Sequence, residues 1–244
     1  MPDTMEDLPT LQNHPDTFIH LIGGEKGGVG KSMTARLLAQ YFIDRQSPFI
    51  GFDTDRSHGT FSRFYSDYAS PVVIDQYEAL DRIIESAVDQ PGRRVLVDLA
   101  AQTHAPLVKW MDDSGVLDVA DLSDIALHYW HVMDAGRDSV ELLGRVFDQF
   151  GSRVRYVLVE NQLRGSDFSQ LDQSGLRERA QALGAHTITL KQLHQGVVQK
   201  IDTHNSSFWS ALQSGSPAGL GLLERQRLKM WLGHANAELA RVEP

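Results

Sequence analysis

Phe18 to Thr34 read FIHLIGGEKGGVGKSMT: an apolar run of strand length, a glycine-rich turn, then Lys31 and Ser32 opening a segment with helical spacing. Glycines 27, 28 and 30 let the backbone wrap an anion without Cβ clashes. Successive N–H groups and the start of the helix aim partial positive charge at the point where loop meets helix. A Gly30-Lys31-Ser32 ending puts one ammonium group within reach of β- and γ-phosphates and a hydroxyl where Mg²⁺ is held. The stretch Lys26 to Ser32, with Val29 at its bend, is therefore the candidate phosphate site. Strict Walker A spacing asks for glycine where Glu25 stands, and to that extent the pattern is broken.

Working outward, short apolar runs alternate with helix-period segments. FIHLI (18–22), PFIGF (48–52), RVLVDL (94–99), DIALHYWHV (124–132) and VRYVLVE (154–160) read as strands apolar on both faces. Stretches 32–45, 79–88 and 140–150 carry apolar residues at helical spacing. Strands of that kind separated by helices predict a doubly wound α/β fold, a mostly parallel sheet with helices on both faces. PVVID (71–75) and HTITL (186–190) are candidate additional strands, and 219–242 a C-terminal helix with Leu228, Trp231, Leu232, Ala235, Leu239 and Val242 on one face. At 244 residues the length suits one such domain over 17–244 after a loose acidic tail, 1–16.

The bulk properties exclude several classes. Without cysteine there is no disulfide, thiolate metal site, iron-sulfur cluster or cysteine nucleophile. No apolar run approaches the ~20 residues that span a bilayer, so an integral membrane segment is not expected. The polar, acidic start lacks the features of a secretory signal, and a cytoplasmic address fits best. A net charge of −9 repels nucleic acid and anionic lipid on average, so non-specific DNA stays open as a partner without support from charge.

Carboxylates follow two of the strands. In GFDTDRSHGT (51–60), Asp53 and Asp55 stand just past a strand end, the edge where open α/β sheets bind ligands. Asp98 closes the run RRVLVDL as a metal-supporting aspartate closes its strand. No Asn-Lys-x-Asp guanine motif occurs, which favours ATP over GTP. His128 and His131, three apart on a strand, point to opposite faces and are read as core-edge histidines rather than metal ligands.

What the loop does fit is Lys-Gly-Gly-x-Gly-Lys-Ser/Thr, and with it the chain resembles the ParA/MinD family of deviant Walker A ATPases over most of 18–212. GGEKGGVGKS and FDTDRSHG together look most like the small ParA-like proteins of plasmid partition and mobilisation. The resemblance implies that Lys26 reaches the phosphates of a partner subunit across an ATP-bound homodimer, and that Lys31 and the loop hold the nucleotide. It implies that Asp55 positions the attacking water, while Ser32, Asp53 and Asp98 serve the Mg²⁺ region. It matches Asn161 to an adenine-bonding asparagine, though a strand-end turn explains that residue equally well. Met33 departs from the family's second threonine, leaving its backbone N–H, and Arg56 departs from the usual proline.

The function so implied is a slow, partner-stimulated ATPase switch that dimerises on ATP to position a cargo or complex, with an unidentified protein partner or cargo. Two alternatives stand beside it: an ATP-dependent ligase like the dethiobiotin and cobyrinate synthetases, and a nucleotide-binding scaffold with little hydrolysis. Terminal helices in some relatives meet DNA or membrane. Here Glu224, Glu238 and Glu243 interrupt the basic cluster Arg225, Arg227 and Lys229, and a packing helix is the favoured reading.

Overall fold

A computed structural model of the protein describes residues 17–24 and 26–243; the expected tail, 1–16, and Glu25 lie outside the described residues. The chain begins with β1 (Thr17–Gly23), α1 (Lys31–Asp44), β2 (Phe49–Asp53), α2 (Thr60–Phe64), β3 (Ala69–Pro71), α3 (Tyr77–Val88) and β4 (Arg94–Asp98). It continues with α4 (His104–Asp113), α5 (Val116–Leu122), β5 (Ile125–Met133), α6 (Arg137–Phe150), β6 (Arg155–Asn161) and a 3₁₀ turn at 162–164. It closes with α7 (Ser169–Gln173), α8 (Leu176–Ala182), β7 (His186–Leu190), α9 (Gln195–Thr203), α10 (Phe208–Leu212) and α11 (Leu222–Leu239).

Seven strands form one sheet in the order β3-β2-β4-β1-β5-β6-β7, every pairing parallel. A parallel sheet buries both faces, and the strand residues divide by alternation. Ile22, Trp130, Val132 and Ile188 pack with α1, α2 and α9 to α11, whereas Ile19, Leu21, Leu127 and Tyr129 pack with α3 to α8. The layers explain the helices: Val140, Leu143, Val146, Phe147 and Phe150 are the buried stripe of α6. The chain leaves β1 toward β2 and β3 on one side and returns for β5 to β7 on the other. The switch point of the winding thus falls at the C-terminal end of β1, where the glycine-rich loop begins.

Two boundaries differ from the sequence expectation. The strand expected at 71–75 is instead β3, 69–71: pairing ends at Asp53↔Pro71 because β2 stops there, Val72 N donating the last bond to the Asp53 carbonyl at 2.9 Å, while Pro71 turns its N–H-less side to the open edge. The C-terminal helix is shorter than 219–242, because Glu224 reaches back to the backbone N–H of Gly221 and fixes the start at Leu222.

Beyond α11 the chain inserts Glu243 against the α1 side of the sheet. Its carboxylate lies 3.2 Å from His128 Nδ1, 3.6 Å from His20 Nδ1 and 3.8 Å from Arg94 Nε, while Tyr41 donates its hydroxyl to the Glu243 carbonyl at 2.6 Å. Burial pushes His20 down to about 3, so that ring is neutral. Burial alone would raise Glu243, but the hydrogen bond from His128 and the charge of Arg94 help hold it below the usual carboxylate range. His131, on the other face, places Nε2 3.0 Å from the Ser139 carbonyl. The two histidines do face opposite ways.

Candidate functional site

The loop between β1 and α1 is shaped by what it may not contain. Gly28 and Gly30 have φ of +73° and +104°, and a Cβ on Gly30 would stand 2.2 Å from Asn161 Nδ2. That amide donates to the Val29 carbonyl at 2.7 Å, and Asn161 Oδ1 accepts from the Leu163 backbone at 3.2 Å, so the end of β6 braces the bend of the loop. Val29 is buried, whereas Gly27 and Gly28 are exposed, as backbone meant to meet a ligand must be.

The two lysines differ. Lys31, at the first turn of α1, is buried and donates to the Lys26 carbonyl at 3.1 Å. Lys26 turns the other way, with Nζ 3.0 Å from Asp134 Oδ2 just past β5. Asp134 is 4% exposed and also accepts from Ser139 Oγ at 2.7 Å, Gly136 N at 3.2 Å and Arg164 Nη1 at 3.3 Å. Burial would raise its carboxyl, and the bonds from Ser139, Lys26 and Gly136 outweigh that and hold it low.

The aspartates do three different things. Asp53 is buried at the end of β2 and fully engaged: Oδ1 accepts from Asp55 N at 3.0 Å, and Oδ2 from Ser62 N at 2.9 Å and Ser62 Oγ at 3.2 Å. It ties the following loop to α2. Asp55 lines the cavity in front of the loop, its Oδ1 accepting from Ser57 N and His58 N at 2.9 and 3.1 Å. Asp98 is 1% exposed, and among the described residues neither carboxylate oxygen has a hydrogen-bond partner of good geometry, although the Ser32 hydroxyl faces it. Desolvation pushes its carboxyl up to about 7, opposed by Ser32 and Lys31. Thr54 locks this region: its hydroxyl donates to the Asp98 carbonyl at 3.1 Å and accepts from Ala100 N at 2.8 Å. Beyond, Gln102 adopts φ +62°, an uncommon conformation for a residue with a Cβ.

These groups open on a cavity of about 490 Å³, large enough for a nucleotide. Gly27 to Met33 (Val29 excepted), Asp55, Asp98 and Asn161 line one part. Leu190 to Leu193, Val198, Asp202, Arg36 and Trp231 line the rest. Trp231, on α11, donates its indole N–H to the Lys191 carbonyl at 2.6 Å. A magnesium-nucleotide fits the donor set: an orphaned buried carboxylate, a facing hydroxyl, an ammonium group and a glycine cradle are hard oxygen ligands and anion donors side by side. The structure brings Gly27, Gly28, Gly30 to Met33, Asp55, Asp98 and Asn161 to one place, turns Lys26 away to Asp134, buries Val29 in the loop's bend and leaves Asp53 behind them as a brace.

Sequence reasoning missed Asp134, Thr54, Arg36, Asp202 and Trp231. Asp134 and Thr54 follow strands β5 and β2 at the ligand-binding edge, a positional signal that was available. Arg36, Asp202 and Trp231 come from three helices whose convergence only the fold reveals.

The arrangement defines a doubly wound α/β protein with a glycine-rich loop between its first strand and first helix. No family model matches the chain. It is 25% identical over 225 residues to Protein MobD of Acidithiobacillus ferrooxidans, covering 91% of this chain and 96% of that one. To a Protein TraL of Escherichia coli it is 24% identical over 231 residues, covering 87% and 92%. The MinC:MinD cell division protein complex of Aquifex aeolicus matches with a TM-score of 0.50 at 12% identity, over 89% of this chain and 96% of that one. The chain thus shares the α/β fold of that MinD. Among the described residues no helix is long and apolar enough to cross a membrane.

Proposed function

We propose that the protein is an ATP-binding, slowly hydrolysing switch that forms a homodimer when ATP is bound and positions a cargo or complex through a protein partner. The observation that carries this reading is Asp98. A buried carboxylate with no hydrogen bond of good geometry among the described residues, only the Ser32 hydroxyl facing it and Lys31 close enough to lend its charge, is a costly arrangement unless a cation and its phosphates complete it.

Each residue then has a task. The Gly27–Gly30 backbone and Lys31 hold the β- and γ-phosphates, and the Met33 N–H the α-phosphate. Ser32 and Asp98 serve Mg²⁺, which supplies charge neutralisation on the transferred phosphoryl group. Asp53 acts one step back, keeping Asp55 at the cavity mouth, where its carboxylate orients the attacking water once it leaves Ser57 and His58. Asn161 serves the adenine side while bracing the loop. Lys26 is the deviant-Walker lysine: it exchanges Asp134 for the triphosphate of a second copy, so that nucleotide and dimerisation are coupled. A MinD of the same fold solved together with MinC is in keeping with a protein partner.

Light-scattering mass with ATP, with ADP, and with ATP for Lys26→Ala tests it. A doubled mass with ATP only, lost in the variant, is expected; the same mass in all three conditions would defeat the switch. Asp55→Ala is expected to bind ATP and not hydrolyse it.

A further inference from the structure

Arg36 is the least expected residue in the cavity wall. It lies on α1 four residues past Ser32, ~6 Å further along the helix axis, and its side chain is only 3% exposed. Its guanidinium stacks 3.7 Å from the Phe64 ring of α2 and 4.9 Å from the Phe208 ring of α10. Nη1 donates to Asp202 Oδ1 at 3.1 Å, whereas Nε and Nη2 are buried with no hydrogen-bond partner among the described residues. A cation held this way loses hydration that one ion pair does not restore, and packing alone would be served better by an apolar side chain. What the stacking does achieve is a fixed guanidinium edge.

That edge holds Asp202. The carboxylate is half-exposed at 48%, belongs to α9, and lines the cavity with Arg36, Met33, Leu193 and Val198. Only Oδ1 is engaged; among the described residues no donor reaches Oδ2. The result is an acceptor of fixed orientation, placed one helical turn beyond the phosphate-binding end of α1. We propose that Arg36 and Asp202 form a sugar-reading pair, with Asp202 accepting hydrogen bonds from the ribose hydroxyls of the bound nucleotide and Arg36 acting as its positioning residue. The inference rests on the nucleotide-binding reading above. Ribose hydroxyls are donors, a carboxylate is acceptor-only, and dinucleotide folds read the same diol with the same group. A site that expects a hydroxyl discriminates against its absence, because the carboxylate loses its water without gaining a partner.

The test is calorimetric binding to the full chain with Mg²⁺, comparing ATP, 2′-deoxy-ATP, 3′-deoxy-ATP and GTP for the wild type and for Asp202→Asn and Arg36→Met. About tenfold weaker binding of at least one deoxy analogue by the wild type is expected. Asp202→Asn should bring ATP and that analogue to equal affinity while binding of the analogue itself persists. Arg36→Met should reduce the same ratio; because it alters a buried site, the half-exposed Asp202→Asn carries the decision if Arg36→Met fails to fold. A wild type indifferent to both deoxy analogues, or an Asp202→Asn variant with an unchanged ratio, would overturn the proposal and leave ATP binding standing. A shift in the ATP-to-GTP ratio with the deoxy ratio unchanged would assign the pair to the base and equally overturn it. No heat with any nucleotide would remove both readings.

Discussion

Lys26 Nζ lies 3.0 Å from Asp134 Oδ2, so a phosphate-loop lysine is neutralised by a carboxylate 108 residues further along the chain. Lys26 is 29% exposed and Asp134 nearly buried, which makes the pair stronger than a surface contact yet breakable by a better anion. Asp134→Asn should weaken this competitor. The ATP concentration at which mass doubles by light scattering is expected to fall severalfold; an unchanged midpoint would mean that Asp134 does not restrain the lysine.

Gly30 is the tightest point of the loop. Alanine there would combine a left-handed φ with a Cβ 2.2 Å from Asn161 Nδ2. Gly30→Ala should cost on the order of 1–3 kcal/mol in urea unfolding and displace the Asn161 brace from Val29. ATP affinity is expected to drop at least tenfold. Retention of both stability and affinity would show that the loop is not held in this shape.

Asp98 trades stability for function. Its folded carboxyl is raised to about 7 from an ordinary 3.8, so the cost of burying it ionised grows as pH rises between those values and is fully present above 7. Asp98→Asn removes the charge at constant shape. Without nucleotide, at pH 8, the variant should be more stable by on the order of 2 kcal/mol, while magnesium-dependent ATP binding is lost. A variant less stable than the wild type under those conditions would argue that Asp98 is a structural anchor.

Acid should loosen the sheet through its histidines. His20 and His131 are pushed by burial to about 3 and about 4, against 6.5 in an unfolded chain. Below pH 6.5 the unfolded state takes up protons that the folded state refuses. Stability is thus fully present above 6.5 and lost as pH falls toward 4. Glu243, held low in the fold, adds a loss of the same sign below about 4.5. Thermal unfolding of the Asp98→Asn variant, which lacks the opposing titration of Asp98, followed at pH 8, 6.5 and 5 should give nearly the same midpoint at the first two and a clearly lower one at the third; a flat profile in that variant would contradict neutral burial of the rings.

The alternation of apolar runs and helix-period segments made the parallel sheet legible, since strands buried on both faces carry that signature themselves. HTITL at 186–190 matches β7 residue for residue, whereas the strand expected at 71–75 misplaced β3 because its apolar letters ran on past the point where the partner strand β2 stops. The phosphate loop could be read because its chemistry is local: glycines, lysine and serine within seven residues. Contacts across the chain were hidden for the opposite reason. Nothing near Lys26 announces Asp134, and nothing near Arg36 announces Phe64, Phe208 or Asp202. Asp53 and Asp55 looked alike as letters; one faces a serine and the other the cavity, a difference set by where β2 stops.

Trp231 belongs at once to the cavity wall and to the packed side of α11, and its indole is tied to the loop after β7. An occupant that presses on Trp231 would bias the last helix, and a partner gripping that helix would bias the occupant by the same free energy. The protein's tail end is in this sense a handle on its contents.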